Sequence, residues 1–214
     1  NGLWVAVSWN GTGNRVMTSA DGINWTSRTS AANIQWNSVA YGNGLWVAVS
    51  QDEEVNGVMT SPDGINWTSR TSAVNNQWYS VAYGNGLWVA VSSSGTGNRV
   101  MTSADGITWT SRTTEVANDW RSVAYGNGLW VAVSFLEEDD DVIADNNQVM
   151  TSPDGITWTG RTPAVVDNQW ASVAYGDGLW VAVSLIGDNQ VMTSADGITW
   201  TSRRSAANNQ WASV

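Results

Sequence analysis

Five aspartates, Asp21, Asp63, Asp105, Asp154 and Asp196, recur in one setting, S-x-D-G-I-x-W. A carboxylate directly before glycine can accept backbone N–H groups of its own turn, or it can ligate a cation. Calcium takes roughly six to eight oxygens and each phrase offers a single carboxylate, so the turn role is expected and no metal site is assigned. Arg28, Arg70, Arg112, Arg161 and Arg203 also recur at one equivalent position. Such repetition spreads the arginines around a rim instead of gathering them at one pocket, with local carboxylates, backbone carbonyls or aromatic faces as partners. A third set is the run Glu137, Glu138, Asp139, Asp140, Asp141 and Asp145. It could attract Ca²⁺ or a basic partner, but a solvated excursion is expected. Nothing fixes two of these carboxylates at the separation that glycoside hydrolysis needs. The chain has no histidine and no cysteine, which excludes acid–base, nucleophilic or zinc chemistry built on them.

The remaining candidates bind rather than react. Asn76, Gln77, Asp119, Gln169 and Gln210 stand just before or within reach of Trp36, Trp78, Trp120, Trp170 and Trp211 or their equivalents. Amides give paired hydrogen bonds to sugar hydroxyls, and an indole gives an apolar platform under the ring. The same residues would cap and pack a strand. That structural role is the expectation, with a neutral glycan as the ligand if there is one.

These residues are positioned by a repeat. W-V-A-V-S begins at Trp4, Trp46, Trp88, Trp130 and Trp180, with spacings of 42, 42, 42 and 50 residues. In one unit, Trp36–Tyr41 is predicted as an inner strand, G-N-G as a tight turn, and Leu45–Ser50 as a strand apolar on both faces. Val58–Ser61 and Ile65–Arg70 follow as the third and fourth strands, joined through P-D-G. Four short antiparallel strands per unit and no helical periodicity predict an all-β, five-bladed β-propeller forming a single domain. The predicted blades are 1–31 plus 208–214, 32–73, 74–115, 116–165 and 166–207. Trp211–Val214 repeats the start of an inner strand, which the first blade lacks. It is therefore expected to complete that blade and close a monomeric ring.

The five phrases, from S-A-D-G-I-N-W at Ser19–Trp25 to S-A-D-G-I-T-W at Ser194–Trp200, resemble the Asp-box of BNR and sialidase-type propellers. Here they lack the residue that usually separates Asp from Gly. The resemblance implies a hairpin between strands three and four, with the Asp accepting turn hydrogen bonds and the Trp packed between strands. It does not bring sialidase activity, whose arginine cluster, Tyr–Glu pair and acid Asp have no counterpart here. The blade count and multivalent layout are also similar to tachylectin-2-type lectins, which implies sugar sites between adjacent blades.

Charge narrows the partners. Nineteen acids against nine arginines and no lysine give a net charge of −10, which repels nucleic acid and anionic membrane. No apolar run is long enough for a spanning helix. The missing cysteines leave the compartment open, since oxidising compartments permit disulfides without requiring them. Val100–Arg112 and Val191–Arg203 are identical in all thirteen residues, as expected of a recently copied or designed repeat. The expected function is a non-enzymatic scaffold or interaction module without a cofactor, meeting a protein, a peptide or a neutral glycan on its variable-loop face. A multivalent lectin is the alternative, and a glycoside hydrolase ranks third.

Overall fold

The computed structural model describes residues 2–114, 117–135 and 147–214. Among them the chain is all β, in five antiparallel sheets that follow one another in sequence. The second unit is typical: Trp36–Gly42, Leu45–Ser50, Val58–Ser61 and Thr68–Arg70 pair in that order. The hairpin after the inner strand turns on Asn43 and Gly44, with φ of 47° and 77°. Positive φ at both central positions matches the right-handed twist of the strands.

The fourth strand starts later than expected, at Thr68 instead of Ile65. Asp63 is the cause. Its Oδ1 accepts the N–H groups of Ile65 and Asn66, both at 2.8 Å, and the Ser61 hydroxyl at 2.8 Å. Residues held that way belong to the turn and are lost to the sheet. The same pattern surrounds Asp21, Asp105, Asp154 and Asp196.

Each complete inner strand carries one bulge. Trp36 faces Ser50 while Ser38 faces Val49, which leaves Asn37 as the extra residue. The bulge recurs between Trp78 and Ser80, Trp120 and Ser122, and Trp170 and Ser172. A bulge bends its strand and re-aims a side chain. The inner strands pack side by side through one repeated bond: Val81, Val123 and Val173 donate their N–H to the hydroxyls of Ser38, Ser80 and Ser122.

Sheets stack by an equally regular rule. Val47, Val49 and Val58 of the second unit lie against Trp78, Ala90, Met101 and Trp109 of the third. The third unit meets the fourth, and the fourth the fifth, through equivalent residues. Val5, Val7 and Val16 of the first unit meet Ala48 and Met59 of the second in the same way. Two-sided packing explains why the second strands are apolar on both faces, with Val89, Ala90 and Val91 fully buried.

The expected closing strand is not formed. Trp4–Val7, Val16–Ser19 and Thr26–Arg28 make a three-stranded sheet, and Trp211–Val214 is no strand of it. That segment instead extends the inner row beside the fifth unit. Val214 N–H donates to the Ser172 hydroxyl at 3.2 Å, as its counterparts do one unit earlier. The first and fifth units therefore keep open faces, with Met17 at 43% exposure and Leu179 at 40%. Curvature is set by four buried interfaces together, and they do not bring the two ends into one sheet.

A candidate axial binding site

The inner row encloses an open cavity of about 700 Å³. Asn37, Tyr79, Arg121, Ala171 and Ala212 line it, one from each inner segment. These are the bulged residues and their C-terminal equivalent. Trp9, Gln51, Phe135 and Leu185, the residues that follow W-V-A-V-S, supply a second tier. Beneath them lie the hydroxyls of Ser38, Ser80, Ser122 and Ser172, which hold the inner strands together.

The cavity is asymmetric although its frame is repeated. Arg121 places its guanidinium carbon 4.1 Å from the Tyr79 ring centre and 4.3 Å from that of Phe135. Such stacking holds a planar cation while leaving its edge for hydrogen bonds. Asp119 orients it, 3.5 Å from Arg121 Nη2 and 3.0 Å from Arg99 Nη1. Arg121 Nε is buried without a hydrogen-bond partner among the described residues. Asn37 spends its amide on the Tyr79 carbonyl at 2.8 Å.

Trp36, Trp78, Trp120 and Trp170 are buried to 1% exposure or less, so no ring face is left for a sugar. Their burial follows from the sheet stacking described above. The indole N–H groups of Trp36, Trp78 and Trp170 donate to the carbonyls of Ala32, Val74 and Val165. Trp211 is partly open, and its indole N–H donates to Ala207. Asn76 is buried and donates to the Asn98 carbonyl, which ties the entry of the inner strand to the loop between strands two and three. Gln77 binds the Ser94 hydroxyl through its N–H and Glu53 through its amide. Asp119 is engaged with the two arginines. Gln169 is half-buried, its carbonyl accepting from Leu185, and Gln210 is exposed. These residues form no single pocket.

The aspartates of the turns keep their charge. Hydrogen bonds from the N–H groups of Thr108 and then Ile107 lower Asp105 to about 2, and Thr199 and Ile198 do the same for Asp196. Asp21, Asp63 and Asp154 are lowered by the same kind of contact, each led by the N–H three residues on. Among the described residues the recurring arginines bind neither carboxylates nor rings. Nε of Arg28, Arg70, Arg112, Arg161 and Arg203 donates to a threonine hydroxyl on the neighbouring strand. The acidic run from Glu137 to Asp145 lies outside the described residues. Among the described residues no group of three His, Cys, Asp or Glu is placed to hold a metal.

Asn37, Tyr79, Arg121, Ala171 and Ala212 each directly follow a tryptophan expected to bind, inside segments that otherwise repeat. The signal was present: W-x-S-V reads Asn, Tyr, Arg, Ala and Ala at x, and W-V-A-V-S is followed by Trp, Gln, Ser, Phe and Leu. These are single varying columns inside otherwise repeated strands.

No family model matches the sequence, and no curated protein matches it. Solved structures share the fold at low identity. Virginiamycin B lyase from Staphylococcus aureus is similar at 10% identity and a TM-score of 0.75, over 95% of this chain and 70% of the lyase. A nidogen/laminin complex is similar at 11% identity and a TM-score of 0.63, over 99% of this chain and 80% of that one. The computationally designed Ika8 protein is similar at 13% identity and a TM-score of 0.58, over 98% of this chain and 62% of that one. The chain thus spans less than two thirds of the designed protein's length. These likenesses are to several propeller-like folds and do not single out the sialidase type. The chain is an all-β repeat module with a propeller-like arrangement of sheets.

Proposed function

We propose that this chain is a non-enzymatic interaction module whose contact surface is the axial cavity. One observation carries the reading: strand positions that vary between repeats line a single space, while the rest of each strand repeats. A frame that only had to fold would have no reason to differ there. The ligand is a short peptide segment or a neutral glycan, held on Trp9, Tyr79 and Phe135 with polar contacts from Gln51 and Arg121. The S-x-D-G-I-x-W turns support an Asp-box-type repeat as the origin of the frame. The module performs no catalysis: it has no histidine or cysteine, and its turn carboxylates are committed to backbone N–H groups.

Glycan and peptide arrays followed by titration calorimetry test this reading. Binding that is lost in Tyr79→Ala and Arg121→Ala, but kept in Asn76→Ala combined with Gln77→Ala, supports the axial site. The reverse pattern supports rim sites of the lectin kind. Turnover of a glycoside by purified protein would overturn the non-enzymatic reading.

A further inference from the structure

We infer that the open faces of the first and fifth units are the two halves of one more sheet-to-sheet interface, completed by a second copy of this chain docking head to tail. The inference stands apart from the ligand reading.

The argument rests on the interface the chain already makes four times. In each case the valines of one unit's second and third strands meet the Ala, Met and Trp of the next unit, as Val131, Val133 and Val149 meet Ala182, Met192 and Trp200. The fifth unit carries the same valines, at Val181, Val183 and Val191, and the first unit carries the same acceptors, at Ala6, Met17 and Trp25. Every residue of a fifth interface is present, yet the halves are not joined. Met17 is 43% exposed where Met59, Met101, Met150 and Met192 are at 0%. Around Ala6, Met17 and Trp25 lies an open groove of about 510 Å³.

Two further contacts mark the gap. A Cβ on Gly106, Gly155 or Gly197 would strike a leucine and a valine of the preceding unit, whereas the atoms nearest to one on Gly22 belong to Trp4 of its own unit. A Cβ on Gly42, Gly84 or Gly126 would strike the tyrosine of the following inner strand, whereas nothing lies within 4 Å at Gly176. The contacts that the interior units make on both sides are thus missing at Gly22 on one face and at Gly176 on the other.

The inner strand shows the same complementarity. The first sheet lacks one, and Trp211–Val214 occupies an inner position beside the fifth unit with no outer strands attached. A second copy would add its Trp4–Val7 strand to that segment and cover Leu179 with its Gly22 turn. A second copy is the occupant because it carries both complementary halves, the Val181, Val183 and Val191 face and the Ala6, Met17 and Trp25 face, and the two faces of one chain do not meet. Such a contact is heterologous: each copy uses one end and offers the other, so copies join in rings or in longer rows.

Light scattering over a concentration series tests this on the wild-type chain, Met17→Arg and Leu179→Arg. Both positions are solvent-exposed, and unchanged circular dichroism would verify that the variants fold. The wild-type mass should climb from 23.0 kDa to twice that or more. Each variant alone should remain a single chain. Mixed together they should form a two-chain species, since each keeps one intact end. A wild-type chain that stays single at every concentration would overturn the inference and point to closure of the chain on itself. Variants that assemble like the wild type would overturn it too.

Discussion

The third unit and the first are built from nearly the same phrases, yet they live in different surroundings. V-M-T-S at Val100–Ser103 is buried throughout, while the same four residues at Val16–Ser19 leave Met17 exposed. Trp88 packs on Tyr83 at 4.8 Å, but Trp4 has no inner-strand tyrosine beside it and is 61% exposed. Burial in a repeat protein is therefore a property of neighbours. A strand with two apolar faces needs a sheet on each side, and the end units have only one.

Core truncation should show the contrast at its largest. Met101→Ala is expected to cost about 2–5 kcal/mol, because a fully buried side chain leaves a cavity. Met17→Ala removes a half-exposed group and should cost under about 1 kcal/mol in dilute protein. Equal shifts in urea denaturation would break the comparison.

A smaller contrast comes from adding one methyl group. A Cβ on Gly126 would fall 2.3 Å from Cγ of Tyr175, whose ring is held against Trp180 at 4.9 Å. Gly126→Ala should therefore cost about 1–3 kcal/mol through overpacking. Gly176→Ala meets open space and should be close to neutral by the same denaturation measurement.

These pairs also show what the sequence could reveal. The Asn-Gly and Asp-Gly turns are legible because their chemistry is local: Asn43 takes a positive φ, and Asp63 binds N–H groups two and three residues on. The unit boundaries follow from the repeat. Closure was not legible, because it depends on the angle accumulated over four interfaces and on no single residue. Trp78 shows a second limit. An aromatic beside amides suits a sugar as well as a core, and only the stacked neighbour decides between them. Arg121 shows a third, since its role needs Tyr79 and Phe135, which are distant in sequence and adjacent at the axis.

Acid should act on all units alike. Asp105 and Asp196 titrate at about 2 when folded, below the roughly 3.9 of an unfolded aspartate. Between those values the unfolded chain binds more protons, so stability rises with pH across that window. The contribution of the turns should be complete above about pH 5 and fall away from about pH 4 towards 2. Denaturation midpoints measured across this range check the sign, and Asp105→Asn should flatten the response.

Deleting Trp211–Val214 should have only a small effect on the fold, since Ala212, Ser213 and Val214 are exposed and join no sheet. A loss of melting temperature comparable to that of Met101→Ala would show that the segment already completes the first unit.

Methionine footprinting tests the central claim most directly. The chain has five methionines, one at the same position in every unit, and only Met17 is open. Dilute protein treated briefly with peroxide should be oxidised at Met17 well before Met59, Met101, Met150 and Met192, with Met17 gaining protection as protein concentration rises. Equal protection of all five at every dilution would mean that the first and fifth units are joined within one chain, and would contradict the account.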